Sequence, residues 1–387
     1  MNAERVELAI VGAGCAGLSL AWHLLDAGID GRRMVLIDPR TSYERDRTWC
    51  FFEVWPHPFE HLVTHRWERW RVRAPGGPWV ERGDPEVPYA HLPADAFYGS
   101  VRARLAAAGV SLRLGVRAGA IDDDGRAARL ETSAGLLEAT LVFDSRPPLG
   151  DRSREVSLLQ HFEGWEVLLE EDRFEPRSAI LMDFDVPQTG RGAHFLYVLP
   201  FERRRALVEA TWFSPDPPGD WTLHRESLRR YLGSARCSLV HRERGVIPMT
   251  TEPAATRWSP RIVPIGLAGG LAKPSTGYAF LDIQRHSAAL AEDLAAGRPL
   301  APRSRRSWLS HLQDDVFLEY LSRDPPAAAV AMVGLFERLA PDLTARFLHD
   351  RVSPRERVGV MRAMPIAAMT GALLRATPRW IRRKMPA

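Results

Sequence analysis

The chain of 387 residues has only three cysteines, Cys15, Cys50 and Cys237, at spacings that pair none of them. That excludes a disulfide framework and a cysteine-rich zinc site, and it fits a reducing compartment. Lysine is scarcer still, with Lys273 and Lys384 set against 50 arginines. The net charge of +4 thus comes from arginines scattered among 48 acids, not from a basic block of the kind that binds nucleic acid. No apolar run reaches the ~20 residues that cross a bilayer. An apolar run at residues 8–11 leaves no room before it for a signal peptide, so the expected location is cytoplasmic.

What the chain does have is glycine at meaningful spacing. Residues 8–17 read Leu-Ala-Ile-Val-Gly-Ala-Gly-Cys-Ala-Gly, an apolar run that breaks into Gly-x-Gly-x-x-Gly. A nucleotide pyrophosphate needs close backbone approach and the positive end of a helix. Gly12, Gly14 and Gly17, with Ala13 and Ala16 between them, supply both. Leu18, Leu20, Ala21, Leu24 and Leu25 then repeat at helical spacing until Gly28. Asp38 closes a second apolar run, 21 residues after Gly17, where a carboxylate can accept from an adenosine ribose. A second strand–glycine–helix pattern runs through residues 262–266, Gly269-Gly270 and Pro274-Ser275-Thr276-Gly277, and turns helical from Tyr278. Glycine loops at both chain ends, with a domain between them, suit a long ligand such as FAD.

The pattern predicts an α/β chain: a Rossmann-like FAD-binding domain, an inserted antiparallel β-sheet substrate domain and a C-terminal helical region. Residues 94–109 have helical periodicity, residues 110–114 are strand-like, and Asp122-Asp123-Asp124-Gly125 marks a hairpin ahead of a strand at 136–142. That strand ends in Phe143-Asp144-Ser145-Arg146-Pro147. Short strand-like runs follow at 179–184, 194–199 and 205–213. The expected division is FAD-binding over 1–55, 94–150 and 255–300, a substrate-domain excursion over 56–93, the antiparallel domain over 151–254, and helices over 301–387. Five tryptophans, Trp49, Trp55, Trp67, Trp70 and Trp79, suit either a core or a pocket lining. Residues 358–374 carry one charge, Arg362, before the cluster Arg375, Arg379, Arg382, Arg383 and Lys384 beside Trp380. Two readings stand for this end: an amphipathic segment on an anionic membrane surface, or a terminal helix packed on the core.

Six strings then occur in an order that resembles the bacterial lycopene cyclases, FAD-dependent carotenoid enzymes. They are Asp46-Arg47-Thr48-Trp49-Cys50-Phe51-Phe52, Gln160-His161-Phe162-Glu163-Gly164-Trp165-Glu166, Met182-Asp183-Phe184, Gly245-Val246-Ile247-Pro248-Met249-Thr250, Lys273-Pro274-Ser275-Thr276-Gly277-Tyr278 and Leu335-Phe336-Glu337-Arg338-Leu339. The resemblance implies cyclisation of the acyclic ends of lycopene to β-ionone rings, an isomerisation that needs reduced FAD, takes NAD(P)H as reductant and has no net redox change. It sets Arg47, Gly270, Thr276 and Gly277 beside the flavin. It makes lycopene, dissolved in a membrane, the partner molecule, and a peripheral position on the inner membrane face the expected location. Oligomeric state is not legible.

Such a reaction needs a carboxylic acid kept protonated near neutral pH by burial. Glu209 lies in the otherwise uncharged run 206–213, where strand alternation sends Leu207, Glu209 and Thr211 to one face. Read alone, it is either a solvated or salt-bridged acid or a buried, protonated one. The resemblance makes it the catalytic acid. Ala210 stands where plant relatives have a second adjacent acid. Asp183 and Asp185 are weaker acid candidates and His161 and His194 weaker bases, and Asp144 reads as shaping a strand end. A flavin-dependent monooxygenase or halogenase acting on an apolar substrate is the alternative. Leu267, not Asp, follows Gly266, against the Gly-Asp those enzymes share. A non-catalytic membrane-docking flavoprotein would have no use for Glu209.

Overall fold

The computed structural model describes residues 3–146, 158–188, 192–251, 259–300 and 306–384. Pro147 and the expected boundaries at 150–151 and 254–255 lie outside the described residues, as do the side chains of the basic tail from Arg379 onward.

The first apolar run forms the strand Glu4–Val11, parallel to Met34–Asp38 on one side and to Gly135–Asp144 on the other. Ser111–Leu114 extends the sheet beyond Met34–Asp38, and Ile262–Pro264 lies parallel to the last residues of Gly135–Asp144. The hairpin Ala118–Asp123 and Ala128–Thr132 is antiparallel to the first half of that strand. All of Met34–Asp38 is buried, because both faces of the sheet are covered. Helices Cys15–Asp26, Ala94–Ala107 and Phe280–Ala295 cover one face through Leu18, Leu20, Phe97, Val101, Phe280 and Leu290. Ala9, Val11, Val35 and Ile37 on the other face pack with Ile121, Leu130 and Leu137. This is the Rossmann-like architecture that the glycine loop predicts.

A second, seven-stranded sheet runs in the order Cys237–Met249, Leu158–Leu169, Arg205–Ser214, Ala193–Pro200, Ser178–Asp183, Arg69–Arg73 and Trp79–Gly83. It is antiparallel except where Ser178–Asp183 meets Arg69–Arg73. A small antiparallel sheet of Thr48–Phe52, Tyr89–Pro93 and His65–Trp67 bridges it to the first domain. Helix Thr222–Leu232 packs on one face of the large sheet through Leu228 and Leu232. The opposite face meets the C-terminal helices Trp308–Arg323, Pro325–Arg338 and Ile366–Lys384. The tryptophans divide: Trp67 and Trp70 are buried core, while Trp55 and Trp79 are half-exposed beneath Arg351 and Arg73.

The terminal helix buries part of its apolar face and leaves part of it exposed. Ala372 and Ala376 are buried, while Ile366 and Leu374 are 65% and 70% exposed. Among the described residues, no helix is long and apolar enough to cross a membrane.

Candidate active site

The first glycine loop is built so tightly that side chains do not fit. Gly12 has a φ of +90°, and a Cβ there would lie 2.1 Å from Ser145 Oγ. A Cβ on Gly17 would lie 1.9 Å from the Gly12 carbonyl oxygen, so glycine lets the helix start close beneath the loop. That helix begins after Gly14, with no side chain capping its first amides, which leaves its positive end open to an anion. Asp38 braces the loop: its carboxylate accepts from the Ala13 N–H at 2.7 Å and from the Arg40 N–H at 2.9 Å.

The second loop meets the first at Gly266, whose φ is +60° and whose Cβ would lie 2.6 Å from Ala16 Cβ. Its later part is fixed from behind. The buried Lys273 donates from Nζ to Asp314 at 2.9 Å and to Asp350 at 3.1 Å, and Ser275 Oγ donates to Asp314 at 2.6 Å. The loop is thereby tied to the C-terminal helices.

Both loops open into one cavity of about 920 Å³. Gly14, Ala16, Arg47, Gly266, Thr276 and Gly277 line its cofactor-like end. Gly12, Ala13, Gly17 and Asp38 stand behind that wall, and Gly270 sits in an exposed turn away from it. The residues fit a dinucleotide: a loop in which a Cβ on Gly12, Gly17 or Gly266 would clash, an uncapped helix start, and a buried acceptor, Gln160 Oε1, with no hydrogen bond among the described residues. The far end is apolar, walled by Leu309, Phe317, Met332, Phe336 and Met369. Trp49 also lines the cavity.

Glu209 lies on the cavity wall with Leu207, Thr211 and Phe213, the face that strand alternation assigns to it. It is 8% exposed. Burial raises its pKa well above the ordinary value, and the neighbouring charge and hydrogen bond of Glu243 raise it further. Glu243 sits on Cys237–Met249, is 7% exposed, and also lines the cavity. Burial raises this carboxyl as well, while a hydrogen bond from Thr48 Oγ1 at 2.8 Å opposes the rise. Burial thus favours the protonated form of both carboxyls, and the Thr48 hydrogen bond favours the charged form at Glu243.

What joins the two acids is a residue with no side chain. Gly164, on the strand between theirs, is the register partner of both Glu209 and Glu243. A Cβ on Gly164 would lie 2.9 Å from Glu209 Cγ and 3.2 Å from Glu243 Cγ. The carboxyls lean over the glycine and meet. On the other side of Glu209 its register partner is Tyr197, whose hydroxyl is 2.9 Å from that of Tyr89; Tyr278 follows at 3.4 Å. The Cys50 thiol hydrogen-bonds with Tyr197, and burial pushes its pKa well above the usual thiol value. The sequence reading missed Glu243, although a glycine inside a strand signals close approach of a neighbour.

The remaining candidates are placed elsewhere. Asp183 receives two hydrogen bonds from Arg73, at 2.9 and 2.8 Å, and Asp185 pairs with the same guanidinium. Asp144 is chelated by Arg146. His161 and His194 flank Trp212 on the sheet face turned away from the cavity, so neither reaches Glu209.

A profile of the lycopene cyclase protein family matches residues 7–374. The chain belongs to that family. A lycopene β-cyclase of Paracoccus sp. is 28% identical over 260 residues, a match spanning 62% of this chain and 65% of that protein. The fold of this family member is shared with solved flavoproteins. A flavoprotein/dehydrogenase from Cytophaga hutchinsonii has a TM-score of 0.62 at 13% identity, covering 97% of this chain and 100% of that one. A geranylgeranyl bacteriochlorophyll reductase-like protein from Thermoplasma acidophilum has a TM-score of 0.59 at 13% identity, covering 96% and 99%. The halogenase PltM has a TM-score of 0.60 at 13% identity, covering 99% and 98%, and one variant of it was solved with FAD. At these identities the likeness is one of fold.

Proposed function

We propose that the protein is an FAD-dependent lycopene β-cyclase, which closes the acyclic ends of lycopene to β-ionone rings and gives β-carotene by way of γ-carotene. The observation that carries this reading is Glu209: a buried carboxyl, pushed by burial well above the ordinary carboxylate range, on the wall of an apolar cavity that also reaches both glycine loops. A carbon–carbon double bond is a poor base, and only an acid held protonated in an apolar site can feed it a proton near neutral pH. Glu209 supplies that proton. The apolar walls keep water from trapping the cation, and the rings of Tyr197, Phe195 and Phe213 on the same wall offer it negative potential.

The loop over residues 12–17, with Arg47, Thr276 and Gly277, would hold the cofactor. Reduced FAD supplies an electron-rich ring surface when bound, with NAD(P)H as the source of its electrons. Val358, Met361, Ile366 and Leu373 both line the cavity and face solvent, an apolar rim suited to taking a carotenoid from a membrane. Arg362 and Arg375 beside that rim suit anionic headgroups on the inner face of the cell membrane.

The test is anaerobic. Purified protein given lycopene, FAD and a reductant without oxygen should form monocyclic and then bicyclic product. Turnover that appears only in air would instead mean the oxygen chemistry of a flavin monooxygenase or halogenase. Lycopene left unchanged under both conditions would remove the cyclase reading.

A further inference from the structure

We propose that Glu243 is the base that completes the cyclisation, and that the hydrogen bond it shares with Glu209 over Gly164 resets the pair after each ring. The inference rests on the cyclase reading above and assigns the half of the proton cycle that Glu209 leaves open. A cyclisation with no change of formula must give back the proton it takes. In a six-membered ring with its double bond at the β position, the carbon that gains a proton and the carbon that loses one are bonded to the same ring carbon. An acid and a base that serve both from one face of the ring must therefore lie side by side.

Glu209 and Glu243 meet that requirement. They line the same cavity, sit on the same sheet face, and hydrogen-bond to each other across a glycine that is register partner to both. Their environments differ in the needed sense. Thr48 donates to Glu243 at 2.8 Å, and Arg45 adds positive potential there; both favour the carboxylate. Among the described residues no cation is a close partner of Glu209, which in this assignment takes the proton. Two titratable groups pushed apart in this way divide into acid and base.

The cycle closes atom for atom. The Glu209 O–H bond breaks as a C–H bond forms on the alkene, leaving a tertiary cation. The second double bond attacks that centre through its near carbon, so the ring C–C bond forms and the charge passes to the far carbon of that double bond. Glu243 then takes a proton from the adjacent ring carbon, and its C–H electrons become the ring double bond. Glu209 is now a carboxylate and Glu243 a carboxylic acid. Transfer of one proton along their hydrogen bond restores the start, with no outside donor.

The test compares Glu243→Gln and Glu243→Asp with wild type, each checked for FAD content, anaerobically in D2O with reduced FAD and lycopene. The wild-type control is read first: no rings from it would sink the cyclase reading itself, apart from any role of Glu243. With rings from wild type, Glu243→Gln, which keeps the shape and a partner for Thr48, should lose β-ring formation by on the order of 100-fold or more. Protonation by Glu209 should persist, so recovered lycopene should carry deuterium, or rings should form with the double bond displaced. Glu243→Asp, still a base, should cyclise measurably faster than Glu243→Gln. β-ring formation by Glu243→Gln within about threefold of wild type would overturn the assignment. So would loss of rings in both variants with no deuterium in lycopene, because Glu243 would then be needed before the cation forms.

Discussion

A carboxyl is only as acidic as its surroundings allow, and the described residues around Glu209 bring it burial and a second carboxyl, Glu243. Under the cyclase reading, Glu209→Gln should abolish ring formation while FAD content stays normal, measured by product analysis and flavin absorbance; full activity would remove Glu209 from the mechanism. The same residue has a signature in stability. Folding lifts its pKa above the ordinary 4.5, so above that value the native state holds a proton that the unfolded chain has released. Its contribution is complete below pH 4.5 and declines as pH rises towards the folded pKa. Glu209→Gln carries no such proton. Its Tm should therefore gain on wild type between about pH 5 and pH 8; a constant difference would mean that Glu209 titrates as an exposed acid. Glu209 was legible in the sequence because it is the lone charge in a strand-like run. Glu243 was not, because His241, Arg242 and Arg244 around it read as a solvated charged stretch. Only the strand pairing puts it indoors.

That pairing belongs to the elements. Leu158–Leu169 and Cys237–Met249, with 12 and 13 residues the longest strands described, break the apolar alternation by which strands are recognised. Leu158–Leu169 buries Glu163 and Glu166 completely. Each is neutralised from another strand or loop: Glu163 by Arg244 at 3.0 Å and Arg242 at 3.4 Å, Glu166 by Arg45 at 2.5 Å and Arg205 at 2.7 Å. Buried charge needs such partners, and partners distant in sequence leave no local trace. Behind this sheet, His194 stacks on Trp212 at 3.6 Å, and His161 Nδ1 lies 2.9 Å from His224 Nε2 on helix Thr222–Leu232. Burial pushes His161 and His194 down to about 4 and His224 to about 3. Between those values and about 6.5 the unfolded chain binds protons that the folded one refuses, so stability falls as pH drops through that window. His224→Gln should flatten this loss in urea midpoints measured from about pH 7 to pH 5; an unchanged slope would mean that His224 titrates alike in the folded and unfolded chain. The second glycine loop depends on a similar buried pairing. Lys273→Met would remove the shortest of the cation contacts to Asp314 and Asp350, leaving them Arg306 and, for Asp350, Arg357, and should cost roughly 1–3 kcal/mol in chemical unfolding and lower FAD retention; an unaltered unfolding midpoint would show the pair to be dispensable.

At the scale of the whole molecule, the Rossmann half was readable because glycine spacing, apolar strands and helical periodicity all agree within short windows. The cavity was not, since its walls come from both sheets and from helices near the chain end. The apolar rim of Val358, Met361, Ile366 and Leu373 belongs to that wall. Ile366→Glu, or removal of residues after Arg375, should weaken flotation with anionic liposomes while leaving FAD content unchanged; equal flotation would mean that the rim does not dock. One acid pair in the wall of that cavity has a kinetic consequence as well. Under the cyclase reading, a carotenoid with two open ends can offer only one of them to the pair at a time, so the second ring requires the molecule to withdraw and return reversed. The enzyme should thus work distributively, releasing half-cyclised carotenoid that competes with fresh substrate for its next visit.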